Sequence, residues 1–345
     1  MSKFTMYVTV SGEDRLDILE MDSQTGVLNP QASVGIPGRP APLAISHSKN
    51  FLYVAKRETN QITSFEIDRS DGTMMELCNV SVGSDACYLA VDHTDRFLFS
   101  SYYSAGKITI HRLRSRGAID PSPIEERITG SGAHSIQTDM TNRFAFVPHI
   151  AAMANGESGP NSIFQFKFDE ATGKLEPNIQ SEIVFASRLG PRHFCFHPKG
   201  EFCYFTNEQD SSITAFTLNG DTGTLIPFQT ISTLPANYRG PNTCAQIQIT
   251  PCGSYLYAPN RGHDTIACFA IDPFNGKLQS IGNVVTEPIP RAVCVDPSGR
   301  FFYAAGLASG RIASYEISPS GNLRPLHTYN IGESPMWIHI ADFGL

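Results

Sequence analysis

Charge is scarce in this chain. Charged residues make up 17% of its 345 residues, against roughly a quarter in ordinary globular proteins. The net charge is −7. A protein that grips nucleic acid or an anionic membrane does so with an excess of clustered Lys and Arg, so neither partner is expected. No apolar run reaches the ~18 residues of a membrane-spanning helix. The eight cysteines include no C-x-x-C pair, and Cys195, Cys203, Cys268 and Cys294 fall in apolar, strand-like surroundings. They read as buried reduced thiols, which points to the cytoplasm. The opening stretch Met1–Val10 reads as a β-strand and lacks the apolar core and small-residue cleavage site of a secretion signal. Zinc-protease, nucleophile-elbow, Walker and dinucleotide-binding motifs are all absent. His193 and His197 lie four residues apart. On a strand that places them about 13 Å apart, too far to share a metal ion.

What the chain has instead is apolar residues at 41%, 28 glycines and 23 prolines. A packed core joined by many tight turns follows. One pattern recurs along the chain. An alternating apolar segment is followed by a polar turn, an aromatic-rich strand, a third strand, and a turn that ends Gly-x-Leu. The aromatic of the second strand marks each copy: Tyr7, Tyr53, Phe99, Phe146, Tyr204, Tyr257 and Tyr303, at spacings of 46, 46, 47, 58, 53 and 46. Repeats of ~40–50 residues with four short strands are the size of a propeller blade. The copy at Tyr7 has no first strand before it, and Pro335–Ala341 is a first strand with no second behind it. The two ends complement each other. The expected fold is all-β, a single domain over 1–345: a seven-bladed β-propeller of four-stranded antiparallel blades, one closed by both termini. Such closure removes exposed sheet edges.

In a propeller the first strand lines the central channel and the second runs antiparallel to it. The start of the first and the end of the second therefore share a face. At the first position the six internal copies read Ala41, Cys87, His134, Arg192, Ala245 and Arg291. At the second the seven copies read Ser11, Arg57, Tyr103, Ile150, Glu208, Arg261 and Leu307. Most are bland. The ionisable exceptions (His134, Arg192, Arg291, Arg57, Glu208 and Arg261) are candidates for a site, because repeat symmetry alone would make the copies alike. Each also has a plainer reading: a surface ion pair for an Arg, a satisfied turn for His134, a bond between blades for Glu208. The longer spacings place extra residues at Ala151–Asn161 and Pro235–Asn242, both expected as rims or lids over the same face.

The segments Gly132-Ala133-His134-Ser135, Gly190-Pro191-Arg192-His193-Phe194-Cys195-Phe196-His197-Pro198, Thr206-Asn207-Glu208, Asn260-Arg261, Pro290-Arg291 and Gly332-Glu333-Ser334-Pro335-Met336-Trp337 carry a resemblance over nearly the whole chain. It resembles the lactonase family of seven-bladed propellers, which embraces propeller-type 6-phosphogluconolactonases and carboxymuconate lactonizing enzymes. The resemblance implies His134, Arg192, Glu208 and Arg261 as the catalytic set, no essential metal and no cofactor. Arg57, His149, His193, Asn207 and Arg291 are expected to bind substrate. A small anionic lactone is the expected partner, and a monomer or weak homo-oligomer the expected state. The residue types suit lactone opening. A Glu or His can activate water, and Arg forks can hold an anion or an oxyanion. A carboxymuconate cycloisomerase and a non-catalytic anion- or peptide-binding propeller are the alternatives. The 151–161 insertion is the departure from the bacterial hydrolase.

Overall fold

The computed structural model describes residues 3–153 and 155–344. They form seven antiparallel sheets of the expected four-step design. The first blade comprises Pro40–Ile45, Phe51–Lys56, Gln61–Ile67 and Met74–Ser81, and the second Tyr88–Val91, Phe97–Tyr102, Lys107–Arg112 and Glu125–Ile128. The third comprises Gln137–Thr138, Phe144–His149, Ser162–Asp169 and Lys174–Val184, and the fourth Pro191–Phe196, Phe202–Asn207, Ser212–Leu218 and Leu225–Ser232. In the fifth, the first strand is broken into Thr243–Cys244 and Gln248–Ile249, both paired with Tyr255–Arg261; Thr265–Ile271 and Leu278–Val285 follow. The sixth holds Pro290–Val295, Phe301–Gly306, Arg311–Ile317 and Leu323–Asn330. The closing blade is the one the two ends share: Pro335–Asp342 pairs with Lys3–Val10, from Phe4 opposite Asp342 to Val10 opposite Pro335, and Arg15–Asp22 and Leu28–Gly35 complete it.

Burial explains why the strands take this order. Second strands such as Phe97–Tyr102 and Phe144–His149 are buried throughout, whereas fourth strands such as Leu278–Val285 alternate with solvent. The turn from first to second strand is capped from within. Asp92, Asp139 and Asp296 each accept the backbone N–H groups four and five residues on, at 2.7–2.8 Å. A short acceptor side chain at that place satisfies donors that the tight turn leaves over.

Chain contacts divide the molecule into two units. One contains the residues up to Gly35, His193–Thr217 and everything from Ile226 on; the other contains Ile36–Arg192 and Leu218–Leu225. In the first unit Phe4, Met6 and Val8 of the closing blade pack on Cys294, Phe301 and Tyr303 of the sixth. The marker tyrosines there lock one blade to the next. Tyr204, Tyr257 and Tyr303 donate their hydroxyls to the carbonyls of Gly276, Gly321 and Gly26, at 2.8–2.9 Å. Each ring buries a large apolar surface, on the order of 2 kcal/mol, and its one polar atom is satisfied. In the second unit the core gathers Phe97, Phe99, Phe166 and Phe168 with Ile108 and Ile110. No helix among the described residues is long and apolar enough to cross a membrane.

Candidate active site

Glu208 and Arg261 belong to the first unit. Glu208 directly follows the second strand of the fourth blade, and Arg261 ends the second strand of the fifth. A backbone bridge ties the two strand ends: Cys244 N–H donates to the Glu208 carbonyl at 3.2 Å, and Thr243 pairs opposite Arg261. Arg261 Nη2 then donates to Glu208 Oε1 at 2.7 Å and to the Cys244 carbonyl at 2.6 Å. The two side chains are only 12% and 16% exposed. This pair is the inter-blade ion pair that Glu208 was expected to make under its plainer reading. Its charge-assisted hydrogen bonds fix the orientation of both groups. The Arg261 Nε is buried with no hydrogen-bond partner among the described residues.

The neighbouring expected residues take different places. Asn207 is fully buried. Its amide donates to Ser212 Oγ at 2.8 Å and Thr214 Oγ1 at 2.9 Å, inside the fourth blade. His193 is 4% exposed, and its ring centre lies 5.9 Å from that of Trp337. Thr206 Oγ1 donates to the carbonyls of His193 and Ala245, at 3.1 and 3.0 Å, and so joins the fourth blade to the fifth. Arg291 is half-buried at a β-bulge, where pairing with the second strand jumps from Pro290 to Ala292. Trp337, whose ring lies beside that of His193, is a residue that reasoning from register left out. Its signal was its place in the Gly332–Trp337 segment as the sole tryptophan.

His134, Arg192, Arg57 and His149 lie in the other unit. The first strand of the third blade starts only at Gln137, so His134 sits on irregular chain. That chain is held by the His134 N–H to Pro148 carbonyl bond at 3.0 Å and by a bridge from Ala133 to His149. The His134 ring meets the Tyr103 ring edge-on at 5.6 Å. Ser135 Oγ donates to the Arg192 carbonyl at 2.9 Å, and Arg192 is only 2% exposed, a rare depth for a guanidinium. Cys87 stands at the same register as His134 and Arg192. Its Sγ lies 3.4 Å from the Ala133 carbonyl and 3.5 Å from that of His134. Burial pushes its thiol up; a Ser101 hydrogen bond and the charges of Arg57 and Arg192 pull it back. The thiol therefore senses two of the expected arginines. Arg57 pairs with Asp85 at 2.6 Å, with both side chains partly exposed.

His149 is fully buried, with Nε2 2.9 Å from Thr129 Oγ1 and Nδ1 3.1 Å from the Val147 carbonyl. Both nitrogens are thus engaged within the protein. Burial lowers its pKa to about 3, against the opposing Val147 bond. Between that value and the ordinary 6.5 the unfolded chain binds a proton that the native chain does not. Stability therefore falls as pH drops, by about 3 kcal/mol from pH 6.5 to pH 4 for this residue alone. In acid melts His149→Gln is expected to show a Tm that declines less steeply over that range than wild type. A slope equal to that of wild type would mean that His149 is protonated in the native state.

The described residues of both insertions bond among themselves. In 151–161 a bridge joins Ala152 to Ser158, and Gly159 N–H donates to the Ala151 carbonyl at 3.1 Å. A side chain at Gly159 would meet the Ile150 carbonyl at 2.0 Å, which explains the glycine. In 235–242 Tyr238 stacks edge-on upon His263 at 4.4 Å and donates to the Pro241 carbonyl at 3.1 Å.

Known proteins resemble this chain along nearly its whole length. The model of the family described as lactonase, 7-bladed beta-propeller, matches residues 5–340. A 6-phosphogluconolactonase of Pectobacterium carotovorum subsp. carotovorum (strain PC1) is 31% identical over 336 residues, 97% of this chain and 98% of that one. One from Yersinia pestis (strain Pestoides F) is 30% identical over 339 residues, 98% of each. Among solved structures, a periplasmic gluconolactonase of Pseudomonas aeruginosa superposes with a TM-score of 0.89 over 99% of both chains, at 22% identity. A protein titled a putative 6-phosphogluconolactonase from Bacteroides fragilis NCTC 9343 gives 0.88 over 99% and 98%, also at 22%. At that identity the likeness is one of fold.

Proposed function

Since the chain belongs to the lactonase family of seven-bladed β-propellers, we infer that it hydrolyses an anionic sugar lactone, with 6-phosphogluconolactone as the foremost substrate. The observation that carries this reading is the Glu208–Arg261 pair, a carboxylate and a guanidinium fixed at adjoining strand ends by the Cys244 carbonyl. The family relatives named 6-phosphogluconolactonase, matched over nearly their full length, support the substrate class.

Opening the ring requires water to add to the lactone carbonyl, charge to collect on its oxygen, and the ring C–O bond to break as its oxygen gains a proton. A Glu or His that takes the proton from water is typically worth ~10²–10⁴-fold. Glu208 and His134 take the base and acid roles. Arg192 and Arg261 hold the oxyanion and a substrate anion, in the manner of preorganised donors whose loss costs on the order of 3 kcal/mol. Arg57 and Arg291 serve the remaining substrate charge more loosely. The register equivalence of these strand ends, read from the repeat, supports assigning all of them to one reaction. The eight free cysteines support a reducing, cytoplasmic location.

The test is a panel of phosphorylated and unphosphorylated sugar lactones together with a carboxymuconolactone. Acid release is followed at fixed pH with the spontaneous rate subtracted. The phosphorylated sugar lactone is expected to be the best substrate by kcat/KM. A preference for the muconolactone would assign the cycloisomerase class instead. No acceleration of any member would leave a binding propeller.

A further inference from the structure

The geometry points to Asn260 as a positioning residue for the Glu208–Arg261 pair, and to the 235–242 insertion as the buttress that holds it through Asn242. This rests on the reading that Glu208 and Arg261 act on the substrate.

Asn260 is fully buried beside Arg261. Its amide has two donor hydrogens and an oxygen with two lone pairs, and all four are used. Nδ2 donates to the Thr233 carbonyl at 2.9 Å and to Thr265 Oγ1 at 3.3 Å. Oδ1 accepts from Asn242 Nδ2 at 3.1 Å and, at 2.7 Å, from the Thr233 hydroxyl, whose single hydrogen it shares with the Ser211 carbonyl at 2.9 Å. Satisfaction this complete at zero exposure holds the side chain in one orientation, and with it the backbone that launches Arg261.

Asn242 carries the hold outward into the insertion. Its Nδ2 also reaches Ser211 Oγ at 2.9 Å, and its Oδ1 accepts the His263 N–H at 3.1 Å. His263 Nδ1 lies 2.7 Å from Thr265 Oγ1, which returns the chain of bonds to Asn260. The C-terminal end of the insertion is seated on the residue after Arg261. Gly262 takes a φ of +126°, and a Cβ there would lie 2.3 Å from the Pro241 carbonyl. Arg261 is therefore braced on its own strand by Asn260 and from beyond its strand by Pro241 and Asn242. Its guanidinium is left with Glu208 and the Cys244 carbonyl as acceptors. An insertion bonded this way into strand ends sets side-chain position. The extra residues of the fifth repeat thereby acquire a positioning role for the Glu208–Arg261 pair.

Asn260→Asp keeps the shape but places a carboxylate oxygen against the Thr233 carbonyl. Asn242→Ala cuts the link to the insertion and leaves the Asn260–Thr233 bonds. If Arg261 is freed from Glu208, the carboxyl loses the Nη2 hydrogen bond that favours its charged form. Both variants are therefore expected to lower kcat about tenfold with KM little changed, and to move the acid limb of the kcat/KM profile upward by about one pH unit. A lowered Tm with wild-type kcat and an unmoved acid limb would make Asn260 a structural pin and overturn the inference. If Asn260→Asp does not fold, Asn242→Ala decides alone, and a wild-type profile from it overturns the inference equally. Glu208→Gln in the same assay separates the two levels. If it turns over like wild type, the reading of the site has failed. If it is impaired while both Asn variants behave as wild type, only the buttress has failed.

Discussion

Glu208→Gln is expected to lower kcat for the best lactone by about a hundredfold or more, with the fold intact. The amide keeps an oxygen to accept the 2.7 Å bond from Arg261 Nη2, so the geometry is preserved while the carboxylate proposed for acid–base work is removed. Loss of a general base typically costs ~10²–10⁴-fold. His134→Ala is expected to cost about tenfold or more in the same assay. The glutamine is the informative substitution at this pair. Removing Arg261 instead takes the 2.7 Å bond from a carboxylate that is only 16% exposed, and breaking a buried ion pair from one side is strongly destabilising. Its effect on rate would then mix chemistry with folding. Initial rates corrected for spontaneous opening, with a thermal melt of each variant, check the result. Wild-type turnover in both Glu208→Gln and His134→Ala would remove the acid–base assignment.

The largest effect on stability is expected from Gly223→Ala. Gly223 closes the turn between the third and fourth strands of the fourth blade with a φ of +68°, and a Cβ there would lie 2.0 Å from Phe144 Cδ1. Phe144 begins the second strand of the third blade and is itself buried. Two costs add. A left-handed backbone costs a non-glycine residue roughly 1–2 kcal/mol, and forcing an aromatic ring out of a packed core costs typically 1–3 kcal/mol. Together they predict a loss of about 2–5 kcal/mol and a Tm lower by about 3–7 °C. The comparison is Gly35→Ala, where φ is not left-handed and nothing lies within 4 Å; its Tm is expected to match wild type. Equal melts for the two variants would show that the glycine-on-ring contact between these blades carries no stability.

Much of the architecture was legible in the chain, for a physical reason. A strand shows its two faces as a two-residue alternation, and a tight turn shows itself through glycine. Both signals are local. The aromatic markers therefore counted the blades, and Pro335–Ala341 was recognisable as the missing partner of the segment around Tyr7. The ionisable strand ends were legible for the same reason, since register-equivalent positions can be compared without knowing any contact. One residue of slip reverses a strand's faces, so spacing alone does not say which strand-end side chains reach substrate. His149 and Asn207 stand one position before Ile150 and Glu208, and their side chains are bonded inside the protein, to Thr129 and Val147 and to Ser212 and Thr214. They were expected as substrate contacts.

By itself the sequence determined the number of blades, the shared closing blade and the short list of strand-end ions, because each is written in spacing along one stretch of chain. The tertiary structure alone decided which ions meet. Arg57 takes Asp85, 28 residues on, and Arg261 reaches back 53 residues to Glu208. It also decided that the first strand of the fifth blade breaks after Cys244, whose carbonyl receives Arg261, and that Asn260 is saturated beneath it. Such pairings depend on where separate strands are brought together in packing, and no period in the chain encodes that distance.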